Sequence, residues 1–544
     1  MFLADFQLCF LIMTTFLSNL VSTLSFGYGT TDSKLQLKVD SPNVTNDGTT
    51  LTAVYEHRRN KITKRGNSIT ITPEEHAYNF KTTLKPRKTG LLLVGLGGNN
   101  GTTVVGSTIA NREKMEWRTN RNGTQAANYL GSVTQSTTVH LGFDGERQFY
   151  VPFNSILPLV NPNDLIIGGW DLNNENLYEA AKRAKVFEPE LLDRLRPYLE
   201  TVIPKPSIYY PDFIALNQSD RVNNVIKGTT KQEHLDHLRN DIREFKQKHE
   251  LECVIVLWTA NTERYTGIDQ ELNQTADAIL KSIREDAAEI SPSNLFAVAS
   301  ILEGAHYING SPQNTLTKGI VELAEQNRVF VGGDDFKSGQ TKLKSSLVEF
   351  LVSSGIKPES IVSYNHLGNN DGKNLSEQRQ FRSKEISKSS VVDDMVNSNP
   401  ILYPDGKSPD HVVVIKYVPH VGDSKRALDE YVSSIFMGGQ QTLSIYNTCE
   451  DSLLAAPLIL DLAILTELSG RINYSTKGTN GRFEKFHSVL SILSLFLKAP
   501  VVPNGTPVGN AFMKQFSLLT KLLTACAGIH SDTDLQLEFF TKFN

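Results

Sequence analysis

The chain has 544 residues, 39% of them hydrophobic and 21% charged, with a formal net charge of −4. That length exceeds what one hydrophobic core ordinarily supports, so more than one domain is expected. A balance so near neutral gives no electrostatic basis for nucleic acid or an anionic membrane as the main partner, which leaves small-molecule chemistry as the expectation.

At the start of the chain, FQLCFLIMTTFLSNLVSTL (Phe6 to Leu24) is apolar enough for a signal peptide or membrane anchor. No Lys or Arg precedes Lys34, Asp5 stands where a positive n-region belongs, and no clean small-x-small cleavage site follows. An Asn-Gly-Thr sequon at Asn100 falls inside a glycine-rich loop, where a glycan would block any ligand. Residues 1–33 are therefore expected to be an extension outside the fold. Cys9, Cys253, Cys449 and Cys526 are scattered without a CxxC pair. That suits a reducing, cytoplasmic compartment better than a disulfide framework or a metal site.

Residues 34–85 are polar and turn-rich, which predicts short strands packing on a core. Regular alternation begins near Gly90. LLLV (Leu91–Val94) reads as a buried strand, and DLIIGGWD as another that ends at Asp171. In KQEHLDHLRNDIREFKQKHE, Leu235, Leu238, Ile242 and Phe245 fall at helical spacing ahead of the strand CVIVLW. ELNQTADAILKSIREDAAEI places Leu272, Ala276, Ile279, Ile283 and Ile290 on one helical face, and NLFAVAS and RVFVGGDDF then read as strands. Apolar strands alternating with amphipathic helices predict a parallel α/β sheet with ligands beyond its carboxyl edge. From Ser338 the texture turns polar and Lys-rich, broken by the strand HVVVIKY. After Asp451 it becomes apolar and helical again in SLLAAPLILDLAILTELSGRI and FHSVLSILSLFLKAP.

In the loop GLGGNNG, Gly95, Gly97 and Gly98 precede Asn99 and Asn100, and the third glycine of a GxGxxG pattern arrives one place late, at Gly101. Glycines after a strand let backbone turn sharply and approach a pyrophosphate at the following helix N-terminus. The loop alone fits a structural turn equally well. Asp171 is the better candidate for a ribose-holding acid, since Glu113 and Glu116 do not end a clear strand.

Further along stand LWTANTERY (Leu257–Tyr265), NGSPQNT (Asn309–Thr315), GDDFKSGQTKLKS (Gly333–Ser345), SYNHLGNNDGKNLS (Ser363–Ser376) and FRSKEISKSS. Together with GLGGNNG, in this order and spacing, they closely resemble the eukaryotic myo-inositol-phosphate (inositol-3-phosphate) synthases from about Gly90 to the C-terminus. The resemblance implies a Rossmann-like, parallel-sheet NAD-binding domain (86–337) interrupted by an α+β catalytic and tetramerisation domain (338–449), with 450–544 returning to the first. It implies a homotetramer that converts glucose 6-phosphate to 1D-myo-inositol 3-phosphate, the first step of inositol biosynthesis. In such enzymes carbon 5 is oxidised by NAD, carbon 6 is enolised, an intramolecular aldol step closes the ring, and the hydride returns to carbon 5.

That chemistry needs proton acceptors and positive charge at developing oxyanions, tasks that lysines suit. The resemblance places Lys384, Lys425 and Lys498 around the reacting carbons, with Asp335 near them and Asp423 and Asp451 orienting them. Ser338, Gly339, Gln340 and Lys388 would seat the phosphate, while Asn365, Asn369 and Asp371 would meet sugar hydroxyls or the nicotinamide end. On the cofactor side it places Gly95, Gly97, Gly98, Asn99 and Asn100 at the pyrophosphate, Asp171 at the ribose, and Thr259, Asn309, Gly310 and Ser311 in the groove. Asp335, Asp371 and Ser452 would also face the cofactor. Each motif alone has a plain reading: exposed lysines, a loop acid before a helix, an asparagine-rich turn, a structural His366.

The family usually follows NGSPQNT with Phe-Val-Pro-Gly, whereas this chain has Leu316, Thr317, Lys318 and Gly319. That departure puts the loop, and the nicotinamide pocket with it, in question. The alternative functions are a net NAD-dependent sugar-phosphate oxidoreductase and a non-catalytic NAD-binding homologue. Retention of all four matched lysines argues against the second.

Overall fold

The computed structural model describes residues 37–119, 123–143 and 147–530; the extension expected over residues 1–33 lies outside them. Before residue 85 a short strand (Val44–Asn46) pairs with the first of two long ones, β1 (Thr50–Arg65) and β2 (Ser68–Thr83), where only short strands were expected. The two long strands pair antiparallel from Thr50↔Thr83 to Arg65↔Ser68. A two-residue Gly66-Asn67 turn joins them, with Gly66 at φ 57° as such a turn requires.

The next segment builds the parallel sheet. Its parts in chain order are β3 (Thr89–Val94), α1 (Asn99–Arg112), β4 (Ile166–Asp171), β5 (Lys205–Pro206), α2 (Lys231–Lys248), β6 (Cys253–Trp258) and α3 (Ala276–Arg284). They are followed by α4 (Pro292–Leu302), β7 (His306–Asn309), α5 (Lys318–Asn327) and β8 (Val331–Gly332). The strands lie in the order β5-β4-β3-β6-β7-β8, all parallel. β3 and β6 are buried along their whole length, as expected for strands covered on both faces. The chain builds outward from β3 in one direction and then from β6 in the other. The switch point, where a doubly wound sheet opens its ligand crevice, lies between them.

NLFAVAS is a helix, not a strand. It lies in α4, where Ser291 caps the N-terminus, Asn294 completes a capping box and Pro292 takes the first turn. A wholly buried helix shows the same unbroken apolar run as a buried strand, and the cap signals decide between them. The helix expected across Leu272–Ile290 is shorter, and Leu272 and Ile290 flank α3.

Beyond Ser338 come α6 (Gly339–Ser353), β9 (Lys357–Leu367), α7 (Gln378–Ser389), β10 (Asp410–Tyr417), β11 (Ser424–Ser434) and β12 (Gln440–Glu450). The strands form a second, mixed sheet in the order β10-β9-β11-β12. Then α8 (Asp451–Ser469) returns to pack against α1. α8 is apolar and long enough to cross a membrane, but 89% of its most apolar 18-residue window is buried inside the protein. After it, β13 (Ile472–Ser475) pairs with β2, and α9 (Phe512–Cys526) follows. FHSVLSILSLFLKAP is not a regular α-helix: Ser491–Phe496 is a 3-10 turn, Val489 bridges to Val331 and Leu497 to Phe336. This edge pairing lays Lys498 beside Asp335, the Lys498 N–H donating to the Asp335 carbonyl at 2.8 Å.

Candidate active site

One cleft opens at the switch point, enclosing about 1400 Å³ including its mouth. The glycine loop forms one wall. The Gly95 and Leu96 N–H groups both donate to the Trp170 carbonyl, at 2.8 and 3.0 Å, and Gly95 turns the chain at φ 94°. The Gly97 N–H donates to Asp171 Oδ2 at 2.8 Å, so the acid at the end of β4 braces the loop. Burial raises the pKa of Asp171, with opposing pulls from the Asn173 and Gly97 amides and from Arg221 and Arg183. Gly101 sits in the first turn of α1, where a Cβ would collide with the Leu96 and Gly95 carbonyls. α1 starts at Asn99 without a side-chain cap and without an acid in its first turn. Its leading N–H groups are therefore free to meet an anion.

The opposite wall carries lysines from three distant segments. Lys384 Nζ lies 2.8 Å and Lys498 Nζ 3.2 Å from the same oxygen, Asp335 Oδ1, and Ser387 Oγ donates to Asp335 Oδ2 at 2.6 Å. Burial pushes the Asp335 pKa up, but the two ammonium groups outweigh it and hold the carboxylate ionised. Burial likewise pulls Lys384 down, while Asp335 and Asp371 bring it above its ordinary value. Lys498 is drawn down to about 7, by burial first and by Lys384 and Lys425 besides, against Asp335. Lys388, one helical turn after Lys384 on α7, donates to Asn365 Oδ1 at 3.2 Å. Burial and the charges of Lys425, Lys498, Lys384 and Lys344 hold its pKa well below normal. Lys425 is 4.0 Å from Asp451. The cleft wall sets four lysines and Arg221 against four aspartates, Asp171, Asp335, Asp371 and Asp451. Lys388, whose Nζ donates to an amide oxygen and forms no ion pair among the described residues, marks the end that suits an anionic ligand.

The chain matches the myo-inositol-1-phosphate synthase family, an NAD-binding family, over residues 89–524. It belongs to that family. A crystal structure of inositol-3-phosphate synthase from Caenorhabditis elegans is 68% identical, with a TM-score of 0.92, and the match covers 94% of this chain and 99% of that one. Inositol-3-phosphate synthase 1 of Populus euphratica is 55% identical over 509 residues, 93% of this chain and 99% of its own. Isozyme 1 of Arabidopsis thaliana is 53% identical over 508 residues, 92% of this chain and 99% of its own.

Within this synthase fold, Gly95, Gly98, Asn99, Asn100, Asp171, Thr259, Gly310, Ser311, Asp335, Ser338, Asn369, Asp371, Lys384, Lys388, Lys425, Asp451 and Lys498 line the cleft. Gly97, Asn309, Gly339, Gln340, Asn365, Asp423 and Ser452 do not, and several of these brace those that do. Asn309 Nδ2 donates to Asp334 Oδ1 at 2.6 Å and to the Ser311 carbonyl at 3.0 Å, fixing the loop beneath Asp335. The Asp423 backbone carbonyl accepts from the Lys425 and Asp451 N–H groups at 2.9 and 3.0 Å, while its carboxylate bonds to no lysine side chain among the described residues. It accepts from Asn99 Nδ2 at 3.0 Å and from Ser452 Oγ at 2.7 Å and N–H at 2.9 Å, so it ties the glycine loop to the start of α8. Asp371 accepts from the Thr262 N–H at 2.9 Å, and burial raises its pKa.

The departure at Leu316–Lys318 falls outside the cleft wall. Leu316 packs on the core of the parallel sheet, Thr317 takes the N-cap position of α5, and Lys318 is exposed. Sequence reasoning missed Arg221, Gln218 and Asn173, which line the cleft near Asp171. Asn173 follows the end of β4, the one signal that could have found it, whereas Gln218 and Arg221 lie in a 3-10 helix (Leu216–Arg221) well past β5. It also missed Ser387, one turn after Ser383 on α7, and Lys344, one turn after Gln340 on α6.

Proposed function

We infer that this chain catalyses the inositol-3-phosphate synthase reaction, converting D-glucose 6-phosphate to 1D-myo-inositol 3-phosphate with NAD regenerated in each turnover. The observation that carries the reading is Asp335 held between Lys384 and Lys498 in a cleft that a glycine loop completes. The donor set fits a dinucleotide. The uncapped first turn of α1 would take the pyrophosphate, a Cβ at Gly98 would crowd the Gly95 carbonyl at 3.1 Å, and Asp171 stands at the ribose end. NAD, when bound, supplies the hydride acceptor and later the hydride donor.

The side chains supply the remainder. Lys498, with a pKa near 7, can take and return a proton at Nζ near neutral pH. Lys384, kept charged by Asp335, faces the cleft as a fixed positive charge for an enolate or alkoxide oxygen. Ser338, at the uncapped N-terminus of α6, and Lys388 form the phosphate seat, with Gln340 behind them. Asp451 lies closest to Lys425 and orients it.

The proposal extends to a homotetramer in the cytoplasm, feeding inositol phospholipid synthesis. Support comes from one row on the outer face of the mixed sheet, where Tyr364, Leu428 and Tyr446 are register neighbours and 48%, 49% and 65% exposed. Cys253, Cys449 and Cys526 remain free thiols, which suits a reducing compartment.

The test is turnover of glucose 6-phosphate by purified protein with NAD. Inositol phosphate should form, detected by NMR, while absorbance at the NADH band stays flat. Stoichiometric NADH without inositol phosphate would overturn the reading in favour of a net oxidoreductase.

A further inference from the structure

Behind the lysines that line the cleft lies a second polar layer. Lys344 on α6 is 4% exposed, and its Nζ donates to Ser363 Oγ at 2.7 Å and to His411 Nε2 at 2.9 Å. The other imidazole nitrogen, Nδ1, lies 3.1 Å from the Ser389 carbonyl oxygen. A carbonyl only accepts, so Nδ1 carries the proton and Nε2 is left as an acceptor for the ammonium. Burial first, then Lys344 and Lys388, hold this imidazole neutral against the Ser389 carbonyl.

The placement joins the two helices that carry the phosphate seat. Ser363 and Asn365 are two residues apart on β9 and so share a face. Lys344 bonds to the first and Lys388 to the second, which sets the two ammonium groups side by side. Asn365 is itself fixed by donation to the Val414 carbonyl at 3.2 Å. Ser389, which His411 grips, directly follows Lys388, so the imidazole anchors the carboxyl end of α7.

Lys344 has no carboxylate in its hydrogen-bond shell. The charged groups facing it are Lys388 from α7 and Lys425 and Asp429 from β11, with neutral His411 from β10. Asp429 already accepts from Gln340 Nε2 and from Tyr431 Oη. A buried ammonium without an ion-pair partner is costly, and a site needing only filled volume is better served by an apolar side chain. The charge therefore serves an anion close by.

We propose that Lys344 and His411 are positioning residues for the phosphate end of the cleft, setting Lys388 and adding a buried lysine behind it. This rests on the phosphate seat assigned to Ser338, Gln340 and Lys388. The variants are Lys344→Met, His411→Leu and His411→Gln, whose amide oxygen can still accept from Lys344. Three quantities are measured: KM and kcat for glucose 6-phosphate separately, the Kd for inorganic phosphate by calorimetry, and the Kd for NAD. Lys344→Met and His411→Leu should raise KM and the phosphate Kd by about tenfold, the scale of one charge-assisted hydrogen bond, with kcat and NAD affinity little changed. His411→Gln should recover most of the loss.

Unchanged phosphate affinity in Lys344→Met overturns the proposal, as does an equal fall in kcat and NAD affinity across the variants. If His411→Leu does not fold, Lys344→Met against His411→Gln decides by the same criteria. A wild-type protein that binds phosphate but turns over no glucose 6-phosphate would sink the reaction assigned above. The phosphate arm would still judge these two residues.

Discussion

At the scale of single residues the site turns on Asp335. One carboxylate oxygen faces two lysines and the other accepts from Ser387, so a buried acid surrounded by donors stays ionised and keeps Lys384 charged. Lys384→Ala should lower inositol phosphate formation by at least about 100-fold, the scale at which removal of a single oxyanion-stabilising donor is felt. NAD affinity, set by the glycine loop across the cleft, should stay within about twofold of wild type, a change of less than 0.5 kcal/mol. Paired turnover and NAD-titration measurements check this, and a variant keeping half its rate would remove Lys384 from the chemistry. The pairing of Lys384 with Lys388 was legible in sequence because i, i+4 residues share a helix face, and α7 is such a helix. Lys344 was not: a lysine within KSGQTKLKS reads as one more solvated charge, and only the strands packed over α6 bury it.

At the scale of elements, the late glycine of GLGGNNG finds its reason in packing. Gly101 lies inside α1, where its missing Cβ lets the helix sit against the Leu96 and Gly95 carbonyls, so the loop stays tight despite the extra asparagine. Gly101→Ala should force α1 away from the loop and weaken NAD binding by about tenfold or more, about 1.4 kcal/mol on the scale of ordinary overpacking. Inorganic phosphate should bind as before, because the lysine wall does not touch this turn. Calorimetry with each ligand reads both outcomes, and unaltered NAD affinity would deny the loop its role. The same scale shows where periodicity loses its power. α4 and β6 both carry apolar runs, and only the Ser291 cap, Pro292 in the first turn and Asn294 of the capping box tell helix from strand. The long β1–β2 hairpin was legible only in part: the alternation at Ile69-Thr70-Ile71 marks a short strand, but the polar stretches around it, solvated on both faces, carry no two-residue pattern that gives the full length.

At the scale of the whole molecule, the parallel sheet and the order of motifs were legible, whereas the bridging of residues 489–498 onto β8 and Asp335 was not. That bridging is long-range pairing by a segment with little regular structure of its own, and no local pattern reports it. The mixed sheet also leaves a consequence that local patterns do not carry. Its inner face is closed by α6 and α7 around a core that includes Ile361 and Tyr431, but its outer face presents Tyr364, Leu428 and Tyr446 in one cross-strand row. Large side chains aligned across three strands mark an interaction surface, because covering their exposed apolar area favours association. The proposed homotetramer gives this face a self-complementary partner, another copy of the same sheet. Tyr446→Arg should place a charge opposite its symmetry mate and lower the assembly to dimers or monomers at micromolar concentration, as measured by analytical ultracentrifugation. The phosphate Kd of the dissociated species should stay within about twofold of wild type, because Tyr446 points away from the cleft. A wild-type protein that sediments at the 60.5 kDa of a single chain would end the tetramer proposal. A Tyr446→Arg variant that still forms tetramers would move the interface to another surface.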